Sequence, residues 1–160
     1  MPRVVLFQPQ IPPNTGNVAR TCAATGSELH LVEPLGFEIS DRTLKRAGLD
    51  YWPWVVLHRH PDWKAFLERR RRSGGRLLAL SRHASSSYLD WAYEPHDWLL
   101  FGRETDGLPP EVMAGCDGCL TIPMPCSSDR PEGGVRSLNL SVSVGIVLFE
   151  ALRQLQHNTR

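Results

Sequence analysis

Three short segments of the sequence combine polar side chains with glycine or proline in a way that suits ligand binding. The first is Asn14-Thr15-Gly16-Asn17 with the nearby Arg20, which follows an apolar strand-like segment and begins a predicted helix. A helix start offers free backbone N–H groups and a partial positive charge, both of which favour phosphate. An asparagine N-cap followed by a surface arginine is the alternative interpretation. Neither GxxxxGK nor GxGxxG is present, which disfavours an NTPase or a nicotinamide enzyme.

The second segment is the run Leu99–Pro109, in which a buried strand continues directly into a turn bounded by Gly102 and Gly107. Glycine lets a backbone come close to a ligand. Within this turn Glu104 provides a carboxylate that could bind a ligand amine or hydroxyl. An ordinary surface turn residue is the alternative for Glu104.

The third segment is Ile122-Pro123-Met124-Pro125, which is followed by a polar glycine-rich loop and then by Ser137-Leu138-Asn139-Leu140-Ser141. The second part lies where a long apolar helix is predicted to begin. Ser137 fits the ordinary role of an N-cap, which contributes about 1 kcal/mol. Capping by Ser137 leaves Asn139 unexplained, because Asn139 would then lie in the first turn of an otherwise apolar helix.

The cysteines and histidines do not indicate a metal site by their spacing. Cys116 and Cys119 form a single CxxC pair, whereas a structural zinc ion needs four ligands and no second CxxC or HxxxH pair follows. His58 and His60 are too isolated in sequence to complete such a set. We therefore predict no metal, and we interpret the CxxC pair as a turn beside a strand.

Composition places the chain among ordinary globular proteins. It has 160 residues, 41% of them hydrophobic, with a net charge of +1, which fits one domain spanning 1–160 with its core in 3–155. No apolar run reaches the roughly 18 residues that span a bilayer, so we expect no membrane association and a cytoplasmic location. Arginine supplies 16 of the 18 basic residues, including the run Arg69–Arg72. This run is either a solvated helix end or an RNA contact.

Strand-like and helix-like segments alternate along the chain. We predict strands at 3–7, at 28–33, after Pro53 within 51–58, and at 76–81, 97–102 and 120–122, and helices at 14–26, 41–47, 62–72 and 137–155. This alternation indicates an α/β fold with a mostly parallel sheet flanked by helices. Ligands of such sheets bind beyond the carboxyl ends of the strands. The rule selects the loops after Phe7, Leu80, Phe101 and Ile122.

Taken together, the order and spacing of these motifs resemble those of the SPOUT class of knotted RNA methyltransferases. Within that class the chain is most similar to the small single-domain enzymes that methylate the 2′-hydroxyl of the tRNA wobble nucleotide. The resemblance extends from Val4 to Leu155. Its most specific matches are Pro12–Asn17, Arg46–Tyr51 and the Phe-Gly-x-Glu-x-x-Gly-Leu-Pro run that begins at Phe101.

The resemblance implies a parallel sheet whose C-terminal part forms a deep trefoil knot, with S-adenosylmethionine bound in it by backbone groups and without a metal. The residues that correspond to the cofactor site are Leu80, Gly102, Ile122 and Ser137. The family is dimeric, and its active site forms between subunits. Arg20 of one chain would then approach the cofactor of the other as the catalytic residue.

The resemblance further implies that Asn14, Glu104 and Asn139 orient the substrate or the cofactor, and that the anticodon stem-loop of tRNA is the partner. The loop Cys126–Arg136 is longer here than in compact members of the family, which leaves the identity of the tRNA open. Ribosomal RNA as substrate is one alternative, although the chain lacks an additional RNA-binding domain. A non-catalytic protein that binds the cofactor and RNA is the other.

Overall fold

The computed structural model describes residues 1–40, 51–126, 131 and 133–157. The strands are β1 (Arg3–Phe7), β2 (Leu29–Val32), β3 (Leu57–His60), β4 (Leu77–Leu80), β5 (Ser86–Ser87), β6 (Trp98–Phe101) and β7 (Gly118–Thr121). The helices are α1 (Pro12–Thr25), α2 (Trp63–Ser73), α3 (Pro110–Ala114) and α4 (Leu140–His157), with a 3-10 turn at Trp52–Trp54. The predicted helix Asp41–Ala47 and the segment Arg46–Asp50 lie outside the described residues.

The seven strands form one sheet in the order β3-β2-β1-β6-β4-β7-β5, and every neighbouring pair is parallel. This arrangement confirms the predicted α/β fold. Strand β6 lies between β1 and β4, so the carboxyl ends of β1, β6 and β4 are adjacent. In this register Phe101 pairs with both Leu6 and Leu80. The loops that follow these strands are therefore neighbours in space.

The connection between β4 and β5 has an unusual course. These strands are consecutive in the chain, yet β7 lies between them, and Leu120 pairs with Leu80 on one side and with Ser86 on the other. The segment 81–85 therefore crosses the carboxyl end of β7, where the chain leaves that strand. A threaded chain requires a crossing of this kind; the knot itself stays a prediction.

Alternate side chains of the strands pack on opposite faces of the sheet, as the period of two requires. One face buries Val4, Leu6, Leu29, Leu31, Leu99 and Phe101 against residues of α1 and α4, including Val18, Val144 and Leu148. The other face buries Val5, Phe7, Leu77, Trp98 and Leu100 with Phe66 of α2 and Val112 of α3. The sheet is thus covered by helices on both sides. None of the helices in the described ranges has the length and apolar character needed to cross a bilayer.

Several element boundaries differ from the sequence-based prediction. Helix α1 begins at Pro12, two residues before the predicted start, because proline is well suited to the first turn of a helix. The strand predicted after Pro53 begins later than expected, because residues 52–54 form a 3-10 turn and β3 extends from Leu57 to His60. Strand β5 and helix α3 were not predicted, because two and five residues are too short for a periodic pattern.

A buried ion pair joins the amino ends of β4 and β6, at the end of the sheet opposite these loops. Asp97 is fully buried and accepts hydrogen bonds from Arg76 Nε at 2.9 Å and Arg76 Nη2 at 2.7 Å. It also accepts one from the backbone N–H of Glu94 at 2.8 Å. The carboxylate thus accepts three hydrogen bonds while fully removed from solvent.

We expect Asp97→Asn to lower the free energy of unfolding by about 2 kcal/mol, because the fully buried side chain loses the charge that strengthens its hydrogen bonds from Arg76 and Glu94. Urea denaturation measures this change. Asp90→Asn, at an exposed position, is the matched control and should stay within about 0.5 kcal/mol of the unmodified chain. Equal stability of the two variants would contradict this role for Asp97.

Candidate cofactor and substrate site

A cavity of about 610 Å³ lies at the carboxyl end of the sheet. Its walls come from the segments after β1, β4, β6 and β7 and from the beginning of α4, which are the loops that the strand-end rule selects. The cavity is lined by all seven of the predicted cofactor and positioning residues, namely Leu80, Gly102, Ile122, Ser137, Asn14, Glu104 and Asn139. Its volume is within the range of small-molecule sites.

The turn after β6 is held closed by its own backbone. The N–H of Arg103 donates to the carbonyl of Gly107 at 3.1 Å, and the N–H of Gly107 donates back at 2.9 Å. Gly107 has a φ of +70°, which favours glycine. A Cβ at Gly102 would lie 2.3 Å from the carbonyl carbon of Gly107 and 2.5 Å from the nitrogen of Leu108. Only glycine fits at position 102 while this turn keeps its shape.

Glu104 points from this turn to the beginning of α1. Its carboxylate accepts hydrogen bonds from the backbone N–H of Gln10 at 2.9 Å and of Ile11 at 3.1 Å. The next two residues, Pro12 and Pro13, have no N–H to donate. The sequence indicated a phosphate at the start of α1. In the structure, the anion at this position is the carboxylate of Glu104.

Asn14 and Asn139 extend this network across the cavity wall. Asn14 is only 6% exposed; its Nδ2 lies 3.4 Å from Glu104 Oε1, and its Oδ1 accepts a hydrogen bond from Asn139 Nδ2 at 2.9 Å. The side-chain oxygen of Asn139 accepts from the backbone N–H of Ser141 at 2.9 Å and from its hydroxyl at 2.7 Å. The three predicted positioning residues thus form one continuous chain of hydrogen bonds.

This network corrects the predicted capping of both helices. Neither Asn14 nor Thr15 caps α1, because both are already inside the helix and its N-cap, Ile11, makes no side-chain bond. For α4, the bonds from Ser141 place the capping role on Asn139 rather than on Ser137. The helix begins three residues later than predicted, at Leu140, which leaves Ser137 free to line the cavity.

Arg20 is the one predicted site residue that does not line the cavity of its own chain. It is exposed, and its guanidinium lies over the ring of Tyr51, 5.4 Å from the centroid. The Tyr51 hydroxyl donates to the carbonyl of Gly16 at 2.8 Å, which fixes the ring against α1. Six residues separate Arg20 from Asn14, or roughly 9 Å along the helix axis. Within one chain, Arg20 is therefore distant from the cavity wall.

Two arginines that the sequence analysis did not select also line the cavity. Arg136 Nη2 donates to the carbonyl of Thr105 at 3.2 Å, and Arg82 Nη1 donates to the carbonyl of Arg136 at 3.3 Å. These bonds connect the loop after β4, the turn after β6 and the segment before α4. Both arginines are next to segments that the motifs or the strand-end rule indicated. The sequence alone could not show whether an arginine at these positions lines a cavity or faces solvent.

The CxxC pair does not form a reactive site. Burial raises the pKa of Cys116 to about 12, with a further contribution from Cys119. The Cys116 thiol donates to the carbonyl of Val112 at 3.3 Å. A buried thiol with a raised pKa stays protonated at neutral pH and is a poor nucleophile.

Comparisons with known proteins agree with the fold. The sequence model of the SpoU rRNA Methylase family matches residues 1–149. A tRNA (cytidine(34)-2'-O)-methyltransferase of Polaromonas sp. is 46% identical over 151 residues, which is 94% of this chain and 89% of that protein. A solved structure that concerns 2-OH methylation of C/U34 on tRNA superposes with a TM-score of 0.88 at 51% identity, covering 98% of this chain and 97% of the other.

A third similarity concerns a larger protein. The AdoMet-bound rRNA methyltransferase of Sinorhizobium meliloti superposes with a TM-score of 0.82 at 29% identity. The match covers 96% of this chain but only 56% of that one. The chain therefore corresponds to part of this rRNA enzyme, whereas it matches the two tRNA-related proteins over nearly their whole length.

We expect Gly102→Ala to weaken binding of S-adenosylmethionine at least about 10-fold, because the new methyl group forces open a turn that lines the cavity. Isothermal titration calorimetry with purified protein measures this. Gly115→Ala is the matched control: its Cβ would meet no atom closer than 3.7 Å, its φ is −86°, and it is not part of the cavity wall. Equal affinities for the two variants would exclude the turn after β6 from the binding site.

Proposed function

The chain belongs to the SpoU rRNA Methylase family, and from that membership we propose that it transfers a methyl group from S-adenosylmethionine to the 2′-hydroxyl of the wobble pyrimidine of tRNA, cytidine or uridine 34. The observation that carries this proposal is the cavity at the carboxyl end of the sheet, in a chain that matches wobble-position enzymes over almost its full length. We also propose the family knot in the segments around this cavity.

The residues of the cavity fit S-adenosylmethionine. Much of the wall is apolar, with Leu80, Phe101, Ile122 and Leu140 suited to a flat adenine ring. The adjoining strand ends and the turn around Gly102 bring backbone groups close to the space. When bound, the cofactor supplies an electrophilic methyl group. Leu80, Gly102, Ile122 and Ser137 are the residues that we propose to hold it, and no metal is required for this chemistry.

The protein groups that act on the ribose must lower the cost of developing negative charge on the 2′-oxygen. Arg20 is positively charged at neutral pH and is therefore a poor base. We assign it an electrostatic role, in which its guanidinium binds the adjacent phosphate and stabilises the forming alkoxide. Asn14, Glu104 and Asn139 are assigned to positioning, because their side chains are already bonded to one another and fix the cavity wall.

A homodimer would bring Arg20 to the cavity of a partner chain. Helix α4 supports this proposal, because Val142 is 50% exposed and Phe149 is 56% exposed, seven residues apart on the same face. Helix α1, which carries Arg20, packs beside α4, and Trp54 in the 3-10 turn against α1 is 69% exposed. Apolar residues exposed together on one side of a domain are typical of an oligomer interface.

Ribosomal RNA is the second candidate substrate, and it is favoured only by the description of the family. The similarity to the Sinorhizobium meliloti rRNA enzyme covers 56% of that protein, whereas the Polaromonas tRNA enzyme is covered to 89%. We therefore favour tRNA, recognised at its anticodon stem-loop, and a cytoplasmic location for the reaction. A non-catalytic protein that binds cofactor and RNA is the remaining alternative.

The first test is methyl transfer from labelled S-adenosylmethionine to unmodified total tRNA, followed by nuclease digestion and mass spectrometry. We expect a 2′-O-methylated pyrimidine that maps to the wobble position. Methylation of ribosomal RNA alone would favour the second substrate. Cofactor binding without transfer to either RNA would favour the non-catalytic alternative.

The second test asks whether Arg20 acts across subunits. Arg20→Ala should lower the transfer rate about 100-fold or more, because an electrostatic stabiliser of the transition state is lost. Mixed dimers of Arg20→Ala and Gly102→Ala chains, formed by co-expression and assayed at a cofactor concentration that leaves the Gly102→Ala cavities unoccupied, contain one working composite site. When the two chains pair at random in equal amounts, about half of the dimers are mixed, and each of these has one working site out of two. The mixture should therefore regain about a quarter of the rate of the unmodified enzyme. If confirmed mixed dimers do not regain this transfer rate, Arg20 acts in the cavity of its own chain and not across subunits.

A further inference from the structure

A cluster of histidines and one glutamate lies on β2 and β3, outside the cavity. Glu28 immediately precedes β2, and His30 lies two residues further on, so both side chains project from the same face of the sheet. The parallel register of β2 and β3 pairs His30 with His58. The topology therefore brings together two imidazoles and a carboxylate, although the sequence places His58 thirty residues from Glu28.

The ligand atoms of this cluster lie close together, and an ion bound by both rings requires the partly exposed His58 ring to rotate out of the stack. Glu28 Oε2 lies 3.2 Å from His30 Nε2 and 3.1 Å from His58 Nε2, and the three ligand atoms are within 4.8 Å of one another. The rings of His30 and His58 are stacked, with centroids 4.5 Å apart and 14° between their planes. The Nε2 atom of His58 is buried and makes no well-oriented hydrogen bond, despite its short distance to the carboxylate.

A third histidine supports the buried member of the set. His60 Nε2 lies 2.9 Å from His30 Nδ1, so a proton on Nδ1 can be donated to His60 while Nε2 keeps its lone pair. A ligating histidine commonly donates its second ring N–H in this way, which fixes its tautomer and orientation. This arrangement leaves Nε2 of His30, which faces Glu28 Oε2 at 3.2 Å, as the ring atom available to a metal.

We propose that Glu28, His30 and His58 bind one divalent transition-metal ion, with Zn²⁺ as the physiological ion. Two imidazoles and one carboxylate are a ligand set that zinc uses, and nitrogen donors disfavour Mg²⁺ and Ca²⁺. The side chains of Glu28 and His58 are 35% and 32% exposed, so the ion enters from solvent and water completes its coordination. His30 closes the inner side, because it is fully buried.

The site ties β3, at the edge of the sheet, to β2. It is separate from methyl transfer, since none of its three ligands lines the cavity. An ion that binds only the folded chain raises its stability by mass action. With three protein ligands rather than the four of closed structural zinc sites, the site is expected to bind zinc less tightly than they do.

The test uses the full chain, freed of any histidine tag and of metal, titrated with Zn²⁺ by isothermal titration calorimetry and by thermal denaturation. We expect one ion per chain and a higher melting temperature with Zn²⁺. His58→Ala, and independently Glu28→Gln, should weaken binding about 100-fold or more, since removing even a supporting residue costs 10- to 100-fold. His96→Ala, at an exposed position away from the cluster, is the matched control and should bind normally.

Three results would overturn the proposal. One is the lack of saturable binding up to about 100 μM Zn²⁺, a concentration that would occupy even a site of modest affinity. Another is unchanged binding in both the His58 and the Glu28 variants. The third is a thiolate charge-transfer band with Co²⁺, which would place the ion at Cys116 and Cys119. Because calorimetry needs no RNA or cofactor, failure here is distinguishable from failure of the proposed methyl transfer.

Discussion

The carboxylate of Glu104 is the interaction on which the cavity depends. It leaves a turn after β6 and binds the two backbone N–H groups that precede α1, while Asn14 of α1 is bonded to Asn139 at the beginning of α4. Segments from positions 10, 104 and 139 are thereby held in one arrangement. A charged acceptor strengthens such bonds, particularly where solvent access is limited. The wall of the cavity is thus held in place by the protein's own hydrogen bonds.

This arrangement changes how the polar motif residues should be understood. Glu104 has the composition of a ligand-binding residue, yet its oxygens are engaged by the protein's own backbone. Asn139 looked anomalous inside an apolar helix, and it proves to be the cap that precedes that helix. In the proposed function both residues therefore act on a ligand through the shape of the wall, whereas the charge for catalysis comes from Arg20, on another face of α1. Shape and charge are supplied by different parts of the molecule.

The edge of the sheet shows a second use of the same topology. Parallel pairing between β2 and β3 stacks His30 on His58, and Glu28 reaches both rings. The same pairing brings His60 to the other nitrogen of His30. Buried imidazoles are uncommon unless they are hydrogen-bonded. The nitrogen atoms of the buried His30 find their partners within this cluster, in His60 and Glu28. It lies apart from the cavity, and the two sites can vary independently.

The sequence by itself determined the alternation of strands and helices, the parallel sheet and the loops at its carboxyl end, because hydrophobic period and turn residues are local properties. It also indicated seven residues that line the cavity, through motifs whose order is specific. It did not determine the bond between Asn14 and Asn139, the anchoring role of Glu104 or the histidine cluster. Each of these depends on strand order and register, which join residues 30 to more than 90 positions apart. Only the tertiary structure decides such contacts, since nothing local in the chain encodes which strands become neighbours.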